Sequence, residues 1–140
     1  VAPRVPRGNV LAVDIQQEML SMIRTRIAER EVDNVVPVRG TVTDPQLPAD
    51  SVDLAYMVDA YHEFSHPYEM MTALYEALTP GGRVVLVEYR REDPSIPIKT
   101  LHKMTEAQSK KEMRAVGLEW VDTKAMLPRQ HFMVFRTPPK

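Results

Sequence analysis

Cysteine is absent from the 140 residues. That removes disulfides, thiolate metal ligands and cysteine nucleophiles together, and it suits a reducing compartment. An excess of charge of one sign is also lacking: the net charge is −1, and no run of lysine or arginine dominates a segment. No nucleic-acid partner is expected, because such binding needs a basic stripe. The basic pairs Arg90–Arg91 and Lys110–Lys111 read as solvated faces. No apolar run approaches the ~20 residues needed to cross a bilayer, so no membrane partner is expected. A charged-then-apolar leader is missing as well. The chain starts on Val1, which reads as an end left by processing, proteolysis or engineering.

What remains has the composition of one globular domain, with 44% apolar and 26% charged residues. The twelve prolines gather at the two ends and in joints. Residues 1–8 form an irregular, proline- and arginine-rich lead-in. Residues 9–14 are a continuous apolar run, the pattern of a covered strand. Met19, Leu20, Ile23 and Ile27 follow at helical spacing between residues 16 and 31. "NVVPVRG" reads as a short strand placed at an edge by its proline. A loop with two prolines leads to a second apolar strand over 52–58. A helix opens at Pro67, and "TPGG" stops it before the β-branched strand "RVVLVEY". The joint "RREDPSIPIKTLHK" follows, with the length of a lid but the composition of a solvated connection. Thr105 and Gln108 form a capping box for a helix ending at Gly117, and "LEWVDTKAML" and "HFMVFRT" predict an antiparallel pair. Met19, Met22, Met57, Met70 and Met71 read as core filler, and Trp120 and Phe132 as packing within the last strand pair. Strand and helix alternate, so the expected class is α/β with a mostly parallel sheet.

The candidate chemistry lies at strand ends. Asp14 closes the first apolar strand. There its two oxygens match the vicinal hydroxyls of a ribose, and the same carboxylate could instead cap the helix that follows. In an open parallel sheet the ligand crevice lies beyond the carboxyl ends of the strands. Asp59, Tyr61, His62, Glu63, Tyr89 and Arg90 all fall there. His62, Glu63 and Tyr61 are the candidate proton acceptors. Neighbours on an extended segment point oppositely, so His62 and Glu63 need not share a site. With His66 they lack a further matching ligand, and no metal is expected.

Four stretches carry a resemblance to the class I S-adenosylmethionine-dependent methyltransferases, small-molecule type. "VLAVDIQQEML" resembles that family's second strand, acidic ribose ligand and following helix. "VRGTVTDPQLPADSVDLAYMVDAYHEF" resembles its adenine-side loop and fourth strand. "YEALTPGGRVVLVEY" resembles its late helix, proline-glycine turn and fifth strand. "MTEAQSKKEMRAVGLEWV" with "HFMVFRT" resembles its last helix and closing antiparallel strands. The resemblance implies a Rossmann-like sheet with helices on both faces and methyl transfer from S-adenosyl-L-methionine to a small-molecule acceptor in the cytoplasm. It implies that Asp14 binds the ribose and Ile15 packs on the adenine. Thr41 and Val42 would border the adenine edge, with Asp59 near the transferred methyl group. At Thr41 the family commonly has an acidic residue, a stronger acceptor.

Missing from the pattern are the family's first strand and its glycine-rich turn, which should precede Asn9; the one double glycine, Gly81–Gly82, lies elsewhere. That strand runs centrally between the second and the fourth, so its absence should leave two unpaired edges and an apolar slot. The expectation is a single, incomplete domain over residues 1–140. It divides into the lead-in 1–8, cofactor-side α/β units 9–89, connecting segment 90–104 and a last helix with closing strands 105–140. Such a chain would be an inactive fragment of a longer enzyme unless a homo-oligomer exchanged a strand to fill the slot. Two other readings use the same residues. In a nicotinamide-dependent dehydrogenase domain Asp14 would serve the same ribose role, although a closing antiparallel pair argues against it. The other is a non-catalytic Rossmann-like module for binding or assembly.

Overall fold

The computed structural model describes residues 1–139. Strand β1 (Val10–Asp14) runs parallel to β2 (Val35–Arg39), and α1 (Gln17–Glu29) connects them. Strands β3 (Val52–Val58) and β4 (Leu78–Arg90) are also parallel, joined through α2 (Pro67–Ala77). Two residues, β5 (Lys103–Met104), add a parallel bridge to the end of β4. After α3 (Glu106–Ala115), β6 (Glu119–Lys124) and β7 (Gln130–Arg136) form the expected antiparallel pair, with β7 also antiparallel to β4. The α/β class with a mostly parallel start and an antiparallel close is therefore the observed architecture.

The strands form two hydrogen-bonded sheets rather than one. β1 and β2 make the first, and β3-β4-β7-β6 with β5 make the second. β1 and β3 each lie at the end of their sheet, and among the described residues no strand joins them. Leu54, Tyr56 and Val58 alternate along β3 and are all exposed, so one face of that edge strand presents apolar side chains to solvent.

The core belongs to the second sheet. Tyr61, Met71, Leu74, Leu78, Val84, Leu86, Met104, Met113, Leu118, Met133 and Phe135 form one buried cluster. Leu20 is the N-terminal exception among the buried apolar side chains. The methionines divide accordingly: Met70 and Met71 are buried and Met57 packs on the core, whereas Met19 and Met22 on α1 are exposed. Trp120 is also exposed rather than packed, with Lys110 Nζ 3.6 Å above its ring. Lys110 in turn pairs with Glu106 at 2.7 Å, so this lysine is less free than a solvated face would make it.

Local signals act as their chemistry dictates. Thr105 Oγ1 accepts from the Gln108 backbone N–H at 3.0 Å, which is half of the capping box. The Gln108 side chain does not return to the cap; it donates to Glu112 at 2.8 Å instead. The "TPGG" stretch ends α2 but does not interrupt β4, which begins at Leu78. The register steps from Val52↔Leu78 to Leu54↔Arg83, so these residues bulge out of the ladder. A Cβ at Gly82 would lie 2.8 Å from the Thr79 carbonyl and 3.1 Å from that of Val52, so only glycine fits the bulge without a shift. The lead-in is tied down: a 3₁₀ turn spans Ala2–Arg4, and the Asn34 amide donates to the carbonyls of Ala2, Val5 and Gly8 at 3.0–3.2 Å.

Candidate functional site

Two clusters occupy the carboxyl ends of the strands. At the tip of β1 a cavity of about 470 Å³ is lined by Ile15, Arg39, Gly40, Thr41, Val42 and Gln46. Ile15 and Val42 are 45% and 46% exposed, so two apolar side chains stand open at its mouth. Gly40 lets the walls approach: its N–H donates to the Asp14 carbonyl at 3.0 Å, and a Cβ there would lie 3.1–3.3 Å from Asp44, Val13 and Pro45. Asp14 Oδ1 accepts from the Gln16 N–H at 2.8 Å. The carboxylate therefore closes a turn two residues ahead of the helix, while Gln16 is the cap position and has no side-chain cap bond. That turn holds Asp14 at the strand tip.

Thr41 is spent inside its own loop. Its hydroxyl accepts from the N–H of Asp44 at 3.0 Å and of Thr43 at 3.3 Å, and its N–H donates to the Asp44 carbonyl at 2.8 Å. It shapes the wall that presents Val42. Arg39 and Gln46 were not singled out in the sequence. Gln46 has a left-handed backbone with φ 58, a turn feature that sequence pattern signals only weakly.

The second cluster begins at Asp59, just past β3, which also has a left-handed backbone, φ 49. Its Oδ2 accepts from Gln130 Nε2 at 2.7 Å, and its buried Oδ1 has no partner among the described residues. The 3₁₀ turn Tyr61–Glu63 follows. It separates the three candidate proton acceptors. Tyr61 turns into the core, where its hydroxyl donates to Glu112 Oε2 at 2.7 Å. Burial, reinforced by Glu112, holds its phenol far above the usual range. Tyr61 thus has the environment of a packed, protonated phenol, not of a base. His62 points the other way: its Nδ1 lies 2.7 Å from Glu88 Oε2, and its N–H donates to Glu88 Oε1 at 3.3 Å.

Glu88 is 0% exposed and was not singled out in the sequence. Burial raises its carboxyl above the usual range, and the bonds to His62 work against that rise. His62 Nε2 lies 3.3 Å from Glu63 Oε1. The tight turn brings these adjacent side chains together, contrary to the expectation for an extended segment. Tyr89 sits in the ladder opposite Lys103 and Gln130. Arg90 donates to the Leu127 carbonyl at 3.0 Å, and its buried Nε has no partner among the described residues.

With this geometry in place, comparison with known proteins is decisive for the family. The methyltransferase domain family matches residues 1–82, more than half of the chain. The chain belongs to the class I S-adenosylmethionine-dependent methyltransferases. A demethylmenaquinone methyltransferase of Chlamydia trachomatis is 28% identical over 99 residues, covering 71% of this chain and 42% of that protein. The chain thus spans about two fifths of the length of such curated relatives. Among solved structures, a SAM-dependent methyltransferase from Aquifex aeolicus superposes with a TM-score of 0.86 at 18% identity, covering 93% of this chain and 69% of that one. The [4+2]-cyclase SpnF superposes at 0.83 with 15% identity, covering 99% and 70%. At such identities the structural likeness speaks for the fold alone. Among the described residues no helix is long and apolar enough to cross a membrane.

The family's cofactor is S-adenosyl-L-methionine, and the residues present fit one half of it. The cavity at the β1 tip has open apolar walls, and the Asp14 carboxylate that precedes Ile15 is held by its own turn, the residue types that an adenosine would use. The orphaned Asp59 Oδ1 offers a further buried acceptor. The glycine-rich turn that would hold the methionine end is not among these residues.

Proposed function

We propose that this chain is the adenosine-binding part of an enzyme that transfers the methyl group of S-adenosylmethionine to a small organic acceptor. The observation that carries the proposal is the cavity at the β1 tip, lined by Ile15 and Val42 and next in sequence to Asp14, whose carboxylate its own turn holds at the strand end, in a chain of this family. Asp14 would accept from the ribose hydroxyls, and Ile15 and Val42 would sandwich the adenine edge. Thr41 would act through the loop shape rather than through its hydroxyl. Asp59 would face the reacting end. When bound, the cofactor supplies an activated methyl group, so the protein's work is mainly alignment. His62 is the base for an acceptor that must lose a proton, because Glu88 on Nδ1 fixes the ring and leaves Nε2 for the acceptor. Glu63 flanks that nitrogen. The names of the curated relatives refer to demethylmenaquinone, which supports a small organic acceptor as the class. The cytoplasm, where the cofactor is available, suits this chemistry.

The unpaired edges of β1 and β3, and the exposed Leu54, Tyr56 and Val58, support a second part of the proposal. Turnover needs a strand between those edges, from a longer chain or from an exchanged copy, and the 140 residues alone are inactive. Calorimetric titration of the longest available form with S-adenosylhomocysteine should show binding at least tenfold weaker in Asp14→Asn. NAD should give no heat; NAD binding that needs Asp14 would favour the dehydrogenase reading and overturn this one. A strictly monomeric 140-residue chain that unfolds cooperatively and turns over would overturn the strand requirement.

A further inference from the structure

His62, Glu63 and a third residue, His102 of the connecting segment, meet outside the proposed adenosine cavity. His102 ends a second 3₁₀ turn, Thr100–His102, in the connecting segment. Its imidazole lies 5.2 Å from that of His62, centroid to centroid, and its Nδ1 is 3.8 Å from Glu63 Oε1. One donor atom from each of the three side chains lies within 4.8 Å of the others. His66 takes no part in the cluster, because its Nδ1 engages the Ser65 hydroxyl at 2.9 Å.

The connecting segment is held in place and does not hang as a loose joint. Lys103 Nζ donates to the Asp93 carbonyl at 3.1 Å. Asp93 Oδ1 accepts from the Ser95 N–H and hydroxyl, and Ile96 is buried. Glu92 binds the Glu106 N–H at 2.7 Å and His131 Nε2 at 2.8 Å. β5 then pairs with β4 immediately after His102. The third corner of the cluster is therefore fixed by the fold.

We propose that His62 Nε2, Glu63 and His102 bind a divalent transition-metal ion of the zinc class. Glu88 takes the Nδ1 side of His62, leaving the Nε2 side free to face a carboxylate oxygen at 3.3 Å. A ring nitrogen and a carboxylate oxygen that close share either a proton carried on the ring or a metal ion. A proton bridges two such atoms, but only a metal ion also engages the third group. In a tetrahedral zinc site with bonds of about 2.0–2.1 Å, neighbouring donor atoms lie roughly 3.3 Å apart. Two of the separations here are 3.3 and 3.8 Å, and the half-exposed Glu63 and His102 side chains can rotate to close the rest. A buried carboxylate on the far nitrogen of a ligating histidine is the outer support that such sites use to fix the ring. Two imidazoles and one carboxylate suit zinc and its neighbours rather than calcium or magnesium. Three protein donors leave a coordination position for water or for an oxygen or nitrogen donor, at the carboxyl ends of β3 and β4. This inference does not rest on methyl transfer: with the ion bound, His62 Nε2 would be a ligand, and the proton-accepting role proposed for it above would belong to the metal-free chain only.

The test is calorimetric titration of the chelator-stripped chain with zinc chloride, repeated with cobalt(II) under visible absorption to report geometry. One ion per chain is expected, bound at least tenfold more weakly by His102→Ala and by Glu63→Gln. His66→Ala should bind as the parent does. His102 is half exposed, so its variant should keep the parent's circular dichroism. Glu88→Gln should weaken binding about 10- to 100-fold while all three ligands remain. Absence of stoichiometric uptake would overturn the proposal and leave a proton as the bridge. Uptake that His102→Ala leaves unchanged, or that His66→Ala weakens equally, would overturn it as well.

Discussion

The two sheets of this molecule are built to different standards. The second, β3-β4-β7-β6, carries the whole clustered core, with α2 against β4 and α3 against β6 and β7, whereas β1, β2 and α1 contribute one fully buried apolar side chain, Leu20. Both regions have sound local signals: a β-branched strand, a helix with an apolar stripe, a turn at each end. The difference lies in partners. An apolar stripe such as Met19–Met22 stabilises only when something covers it, and an edge strand contributes half of its hydrogen bonds. The region that holds the proposed adenosine cavity is thus the less supported one, as binding elements often are.

The widest gap should appear on truncating the core. Phe135→Ala, at a fully buried position, is expected to lower stability by about 3–5 kcal/mol in denaturant unfolding. A loss under about 1 kcal/mol would mean that the second sheet is not the stability centre. Native-state hydrogen exchange tests the comparison directly: amides of β4 and β7 should exchange only with global unfolding, and those of β1 and β2 several-fold or more faster. Equal protection would break it. Gly82→Ala forces a Cβ against two carbonyls and should lose about 1–3 kcal/mol of stability. Met22→Ser, at an exposed site on α1, should shift stability by no more than about 0.5 kcal/mol. A larger loss there would reveal a cover over α1.

The comparison also has a pH signature within the second sheet. The native carboxyl of Glu88 holds its proton above the usual range because of burial. Its contribution is complete at pH values below that range and is lost as pH rises through the elevated native value. Glu106, bonded to Lys110 and Thr123, has a lowered carboxyl. Glu92 is lowered too, since the Glu106 N–H, its own backbone N–H and His131 outweigh the effect of burial. Both contribute in the opposite sense, with stability lost as pH falls through their depressed values. Melting temperature against pH in metal-free buffer should therefore decline less in Glu88→Gln than in the parent as pH rises above the usual carboxylate range. Parallel profiles would show that His62 fully offsets the burial of Glu88.

Much of this was legible in the residues themselves. The β3 span, the helix start at Pro67, the edge position of the proline-bearing β2, the Thr105 cap and the antiparallel close all follow from short-range rules of period, propensity and capping. Asp14 at a strand tip and the family's order of motifs were legible for the same reason. What the sequence could not decide were the meetings between distant residues. Tyr61 and His62 are neighbours, yet one joins Glu112 in the core and the other joins Glu88 and His102 at the strand ends. Thr41 offers a hydroxyl, but its own loop uses it. Glu88 reads as one polar residue in an apolar strand, and only the register of β4 beneath the Tyr61–Glu63 turn makes it the support of His62. Local structure depends on interactions within a turn or two of chain, which a sequence displays. The convergence of side chains 26 to 51 positions apart depends on strand register and on how turns curl over the sheet, which packing alone determines.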